Sequence, residues 1–228
     1  LGIGHTRWAT HGKPSERNAH PHRAGSVVVV HNGIIETYME LRAELQADGR
    51  TLESDTDSEV VVHLVSREIE NGSSPREAVA QVLPRLRGAF ALAIAFRDHP
   101  GMLIGARRGS PLVVGYGDGE TYIGSDALAL APLTQQISYL EEGDWVVVTR
   151  EAAEIHDAEN QPVEREIQTS GASAAAVEKG NYRHFMQKEI FEQPTVVAQT
   201  LGSYLRQSDN SLALPQFGID LSQVKRVT

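Results

Sequence analysis

Val27-Val28-Val29-Val30-His31-Asn32-Gly33 sets a continuous β-branched run directly ahead of a favoured tight-turn dipeptide. β-Branched side chains pack well on a buried pleated surface, so the run predicts a buried strand, and Asn32-Gly33 predicts that it ends in a turn. A helix is expected next. Thr37 and Glu40 have the capping-box spacing, Leu41 and Leu45 give an apolar stripe and Gly49 a stop. Thr56 and Glu59 repeat that spacing before Val60, Val61, Leu64 and Ile69, where helix is preferred to strand, ending at Asn71-Gly72. Ser74 as N-cap, Pro75 at the first helical position and Glu77 predict a third helix, with Val79, Val82, Leu83 and Leu86 inward and Gly88 as terminator.

From Ala89 the period changes to short β runs: 89–96, 102–106, 112–115, 121–123, 137–140, 145–148 and 154–156. Turn clusters such as Asp98-His99-Pro100-Gly101 and Gly117-Asp118-Gly119 separate them and favour antiparallel hairpins. A strand, then helices, then a meander predicts an α+β layered sandwich. Between Ala158 and Lys179 the apolar periodicity fades into linker composition, which sets expected domains of 1–173 and 174–228. Beyond it, a helix is expected over Tyr182 to Glu192, an interruption at Pro194, and a second helix over Thr195 to Arg206.

A chain of 228 residues suits one large domain, or one domain plus the start of another. No apolar run exceeds Ala89–Phe96, too short for a membrane-spanning helix. The formal charge of -9 repels nucleic acid and anionic membrane surfaces, so neither is expected as a partner, and an anionic ligand would need a local cation. Cysteine is absent, which excludes disulfides and Cys-ligated zinc. The opening Leu1-Gly2-Ile3-Gly4 has neither an initiator Met nor signal-peptide character, and a fragment is expected. The Asn71-Gly72-Ser73 sequon is read as a chance match.

Of nine histidines, those at positions 5, 11, 20, 22 and 31 crowd the N-terminal part. His20 and His22, with Asp55 or Asp57, raise a metal hypothesis, but Pro21 restricts the backbone and no His-Glu-x-x-His pair exists, so no metal is expected. Asn32-Gly33 has a bland role as a turn and a chemical one: the Asn amide and a backbone N–H freed by the missing Cβ can both face a developing oxyanion. Arg7 can lie on Trp8 at the surface or grip a carboxylate with its fork. Asp57 can be a first-turn acid or the partner of an ammonium. Gly115-x-Gly-x-Gly119 reads as a hairpin turn, and Arg107-Arg108-Gly109-Ser110 as a solvated basic edge.

Taken together, His5-Thr6-Arg7-Trp8-Ala9-Thr10-His11-Gly12, Asn18-Ala19-His20-Pro21-His22, His31-Asn32-Gly33-Ile34-Ile35-Glu36 and Ser54-Asp55-Thr56-Asp57 resemble the glutaminase domain of the glutamine:fructose-6-phosphate amidotransferases. Arg108-Gly109-Ser110-Pro111-Leu112 and the segment from Tyr182 to Pro194 are similar to the same family, the latter to its interdomain region. The resemblance implies an N-terminal-nucleophile hydrolase αββα sandwich, N-terminally truncated, followed by a linker and a helical lead-in to a sugar isomerase domain. It implies an N-terminal cysteine that attacks the glutamine amide, with Asn32 and Gly33 forming the oxyanion hole. Arg7 would bind the α-carboxylate and Asp57 the ammonium, while Thr10 and His11 line the glutamine pocket and Trp8 gates an ammonia channel. L-Glutamine and fructose 6-phosphate would be the substrates and glucosamine 6-phosphate the amino-sugar product. No cofactor, a cytoplasmic location and a homodimer formed through the isomerase domain are also implied.

The chain departs from the family in having no cysteine, so it is expected to be inactive alone. A smaller departure is Thr37, where the family commonly has Asn. The alternatives are a nucleophile-less glutamine-binding or regulatory module and a metal-dependent hydrolase built on the histidines.

Overall fold

The computed structural model describes residues 1–8, 10–171, 179–206 and 211–212. The chain folds as two units, Leu1–Val177 and Glu178–Thr228.

In the first unit the valine run lies in strand β2 (Val27–Ile35), which does not stop at Asn32-Gly33. It pairs antiparallel with β1 (His22–Ala24) on one side and β3 (Gly88–Phe96) on the other. The β2–β3 register is unbroken from Val27 opposite Phe96 to Ile35 opposite Gly88. The expected turn at Asn32-Gly33 is thus corrected, and glycine geometry explains why. Gly33 has φ +116°, and a Cβ there would sit 2.0 Å from the Ala89 carbonyl oxygen. Across the ladder Gly88 has φ +113°, and its Cβ would lie 2.2 Å from the Ile34 carbonyl oxygen. The pair permits close backbone approach inside a continuous strand, where turn statistics predict a reversal.

Helices α1 (Tyr38–Ala47), α2 (Ser58–Glu70) and α3 (Pro75–Val82) stand where periodicity puts them. Their starts differ in chemistry. Ser74 and Glu77 make both bonds of a capping box, with Pro75 in the first turn. Thr37 makes no cap bond; its hydroxyl accepts the Arg87 N–H at 3.3 Å instead. Asp57, not Thr56, stands at the N-cap of α2, and the Thr56 hydroxyl bonds Ser54 and His22. Glu59 reaches back past that cap to accept the N–H groups of Glu53 and Ser54, each at 2.7 Å. Both boxes expected at Thr37 and Thr56 are therefore corrected, because other partners claim the hydroxyls, and the box forms at Ser74, expected as an N-cap.

The remaining strands are β4 (Leu103–Arg108), β5 (Val113–Tyr116), β6 (Thr121–Gly124), β7 (Gln136–Tyr139), β8 (Trp145–Val148), β9 (Ala153–His156), β10 (Pro162–Val163) and β11 (Gln168–Thr169). They form two antiparallel sheets, β1-β2-β3-β4-β8-β9-β10 and β11-β7-β5-β6. The Gly115–Gly119 segment lies in the β5–β6 hairpin, as expected, with the Gly117 N–H on the Glu120 carbonyl. Strands β10 and β11 fall in the stretch expected to be linker; two-residue strands are too short to show alternation in the sequence.

Pleat alternation sorts the core into layers. Val29, Leu92, Ile94 and Ile104 face α1–α3, where Leu45, Val61, Leu64 and Val79 meet them. On the opposite face Ala91, Val146 and Val148 pack on Leu112, Val114 and Leu140 of the second sheet. Val113 and Ile137 then cover the one-turn helix α4 (Ala127–Leu130). Helices, sheet, sheet and short helix follow in that order.

In the second unit α5 (Phe185–Tyr204) runs straight through Pro194, correcting the expected interruption. Proline lacks the N–H that would reach the Ile190 carbonyl, and the helix forgoes that bond without ending. Part of the expected linker, 172–178, and the chain end lie outside the described residues. Among the described residues no helix is long and apolar enough to cross a membrane.

Candidate functional site

The far end of β2 and the N-terminal segment enclose a cavity of about 200 Å³. Its lining includes Arg7, Trp8, Thr10, Asn32 and Gly33, five of the seven residues singled out from sequence. His11 and Asp57 are not among the lining residues, but they are tied to it. The Arg7 guanidinium donates to the His11 carbonyl at 2.8 Å, and His11 Nδ1 stands 3.8 Å from Asp57 Oδ1. Asp57 is buried, and its Oδ2 accepts the Ile35 N–H at 2.8 Å, two residues beyond Gly33. That bond anchors the end of β2 to the start of α2.

Arg7 holds a left-handed backbone, φ +59°, unusual for a side-chain-bearing residue. Its guanidinium also donates to the carbonyls of Trp8 and Gly12, each at 3.3 Å, and its buried Nε has no hydrogen-bond partner among the described residues. A guanidinium held beside the cavity is the kind of local cation that an anionic ligand group needs. Asn32, exposed toward the cavity side of the strand, has its Oδ1 2.7 Å from His5 Nε2.

Histidines complete the wall. His20 Nε2 and His31 Nδ1 share the Ser58 hydroxyl at 3.0 and 2.8 Å, and the His5 and His20 rings lie 4.3 Å apart. Burial, then the neighbouring His5, His22 and His31 and finally Arg7, push His20 down to about 3. Burial also dominates at His31, held at about 4 although the Asp57 carboxylate opposes the shift. His22 is lowered mainly by burial. These three rings are therefore neutral near pH 7. Asp55 turns to Asn18 and Arg17 instead of toward the imidazoles, and among the described residues no group of three or more His, Cys, Asp or Glu is placed to hold a metal ion.

A second cavity, about 470 Å³, shares His5, His31 and Asn32 with the first and continues among Val30, Ala91, Leu112 and Ile123. Sequence reasoning passes over His5, His31 and Ser58 as site residues; the density of histidines is the available signal, and it points to a metal.

The glutamine amidotransferase domain family matches residues 5–132, and the chain belongs to that family. Over its whole length it is 67% identical to the glutamine--fructose-6-phosphate aminotransferase (isomerizing) of Zymomonas mobilis subsp. mobilis and 58% identical to that of Brucella suis biovar 1. In both cases it spans 38% of the relative's length. Among solved structures, the glutamine phosphoribosylpyrophosphate amidotransferase from B. subtilis shares the fold, with TM-score 0.57 and 23% identity over 68% of this chain and 34% of that one.

Proposed function

We propose that these residues are the glutaminase half of an aminotransferase that hydrolyses L-glutamine and passes the ammonia to fructose 6-phosphate, giving glutamate and glucosamine 6-phosphate. The observation that carries this is the shared cavity of Arg7, Asn32 and Gly33, with Asp57 bonded to the same strand end. An α-amino acid carries two opposite charges, and here Arg7 serves its carboxylate and Asp57 its ammonium through Oδ1. The Asn32 amide and the Gly33 N–H donate to the carbonyl oxygen as a thiolate attacks; ammonia leaves, and water releases glutamate from the thioester. Thr10 and His11 shape the pocket, and Trp8, 89% exposed, gates the path of ammonia.

The layer order supports the N-terminal-nucleophile αββα class. Residues 1–173 would form the glutaminase domain, and 174–228 the linker and the lead-in to a sugar isomerase domain. A cytoplasmic homodimer is part of the same proposal. With no cysteine in this sequence, the 228 residues alone should not turn glutamine over, and this reading requires a thiol from outside them. A regulatory module that binds glutamine without a nucleophile is the second reading, favoured by the same lack of cysteine.

Protein produced from the whole gene decides between them. Arg7→Lys, which gives up a two-pronged grip on a carboxylate, should raise the KM for glutamine by about tenfold to a hundredfold while ammonia-dependent synthesis persists. Equal loss with ammonia would mean that Arg7 serves folding, and no glutamine hydrolysis by the wild type would favour the module.

A further inference from the structure

We propose that His5 is a positioning residue for the oxyanion hole: its ring fixes which way the Asn32 side-chain amide faces. The proposal rests on the glutaminase reading above. A neutral imidazole has one N–H and one bare nitrogen, and the neighbours decide which is which. His5 Nδ1 lies 2.9 Å from the Arg7 backbone nitrogen, which can only donate, so Nδ1 accepts and carries no proton. The ring proton is then on Nε2, 2.7 Å from Asn32 Oδ1, and Nε2–H donates to that oxygen. Turning the Asn32 amide over would set its NH2 against Nε2–H, donor facing donor. The oxygen is therefore held at His5, and the NH2 is left to donate elsewhere.

Asn32 and His5 line the same cavity as Arg7 and Gly33, so the amide that His5 orients is part of the wall of that space. One ring thus ties two functions together. The backbone N–H that selects its tautomer comes from the residue proposed to hold the substrate carboxylate, and the amide it orients is the proposed oxyanion donor. Arg7 can present that N–H through its left-handed backbone at φ +59°.

Three variants of the whole-gene protein test this by glutamine hydrolysis. His5→Ala frees the amide and should lower kcat about tenfold to a hundredfold, below the full loss of an oxyanion donor, with KM for glutamine little changed. His5→Gln can place an N–H near the Nε2 position and should restore most of kcat; His5→Asn reaches only the Nδ1 position and should not. An unchanged kcat in His5→Ala, equal rates for Gln and Asn, or a change confined to KM would overturn the proposal. Should His5→Ala fail to fold, the Gln and Asn comparison still decides. A readout independent of activity is nitrogen NMR of the histidine rings, where His5 should show the Nε2–H tautomer and an Nδ1–H tautomer would contradict it. A wild type without glutaminase activity would sink the glutaminase reading itself, whereas an active wild type with an indifferent His5 would sink only this inference.

Discussion

Gly33 shows how one residue's role depends on its partners across the sheet. Asn-Gly reads locally as a reversal, yet the strand runs on because Gly88 faces the same stretch and both backbones crowd together. The sequence contains both glycines, but nothing in their spacing reveals that they lie at one end of the same ladder. Gly33→Ala would force a Cβ against the Ala89 carbonyl and hold a strained φ, and a loss of at least about 2 kcal/mol is expected in urea unfolding. An alanine variant as stable as the wild type would show that this close approach is not needed. Arg7, Asn32 and Gly33 are legible as candidate site residues because their types suit a carboxylate and a developing oxyanion, whereas Trp8 and Thr10 enter only through the family resemblance. His5, His31 and Ser58 are not legible, since their part depends on tautomer and hydrogen-bond partner, which only three-dimensional placement fixes.

Among elements, periodicity locates α1–α3 and the longer strands of the first unit, local cap rules mislocate their chemistry, and Pro194 divides α5 in expectation but not in the structure. Strands β3 to β9 lie close to the expected runs, because short β runs between turn clusters leave little freedom. Single-turn α4 and the two- and three-residue strands β1, β10 and β11 are shorter than any period that could announce them. Ser74 and Thr37 offer a direct comparison of an executed and an unexecuted capping box. Ser74→Ala should cost about 1 kcal/mol, and Thr37→Val under about 0.5 kcal/mol, in the same unfolding assay. Reversed magnitudes would mean that the Thr37 hydroxyl, bonded to the Arg87 N–H, matters more than the helix cap.

Across the whole molecule, acid stability follows from the buried imidazoles and one carboxylate. Below about pH 6.5 the unfolded chain protonates its histidines, while folded His20 and His31 resist until about 3 and 4. The unfolded state then binds more protons, so stability rises with pH across that window and falls as pH drops from 6.5 toward 4. Burial pushes Glu59 up, but His63, the Glu53 and Ser54 N–H groups and the Ser54 hydroxyl outweigh it and hold the carboxyl at about 2. Its stabilisation is complete above about 4.5 and is lost as pH falls toward 2. Urea midpoints between pH 7 and 4 should therefore decline already before carboxylates titrate, and His20→Gln should flatten the upper part of that decline. A midpoint constant down to pH 5 would contradict the burial of these rings.

The family and a layered sandwich are legible in the sequence, while which residue faces which layer is set by the pleat of both sheets. The most direct measurement of the central claim is a crystal structure of the whole-gene protein with L-glutamine bound. The α-carboxylate should lie within hydrogen-bond reach of the Arg7 guanidinium and the ammonium near Asp57, with the side-chain carbonyl oxygen facing the Asn32 amide and Gly33 N–H. Glutamine bound elsewhere, or in this cavity with its carboxylate turned away from Arg7, would contradict it.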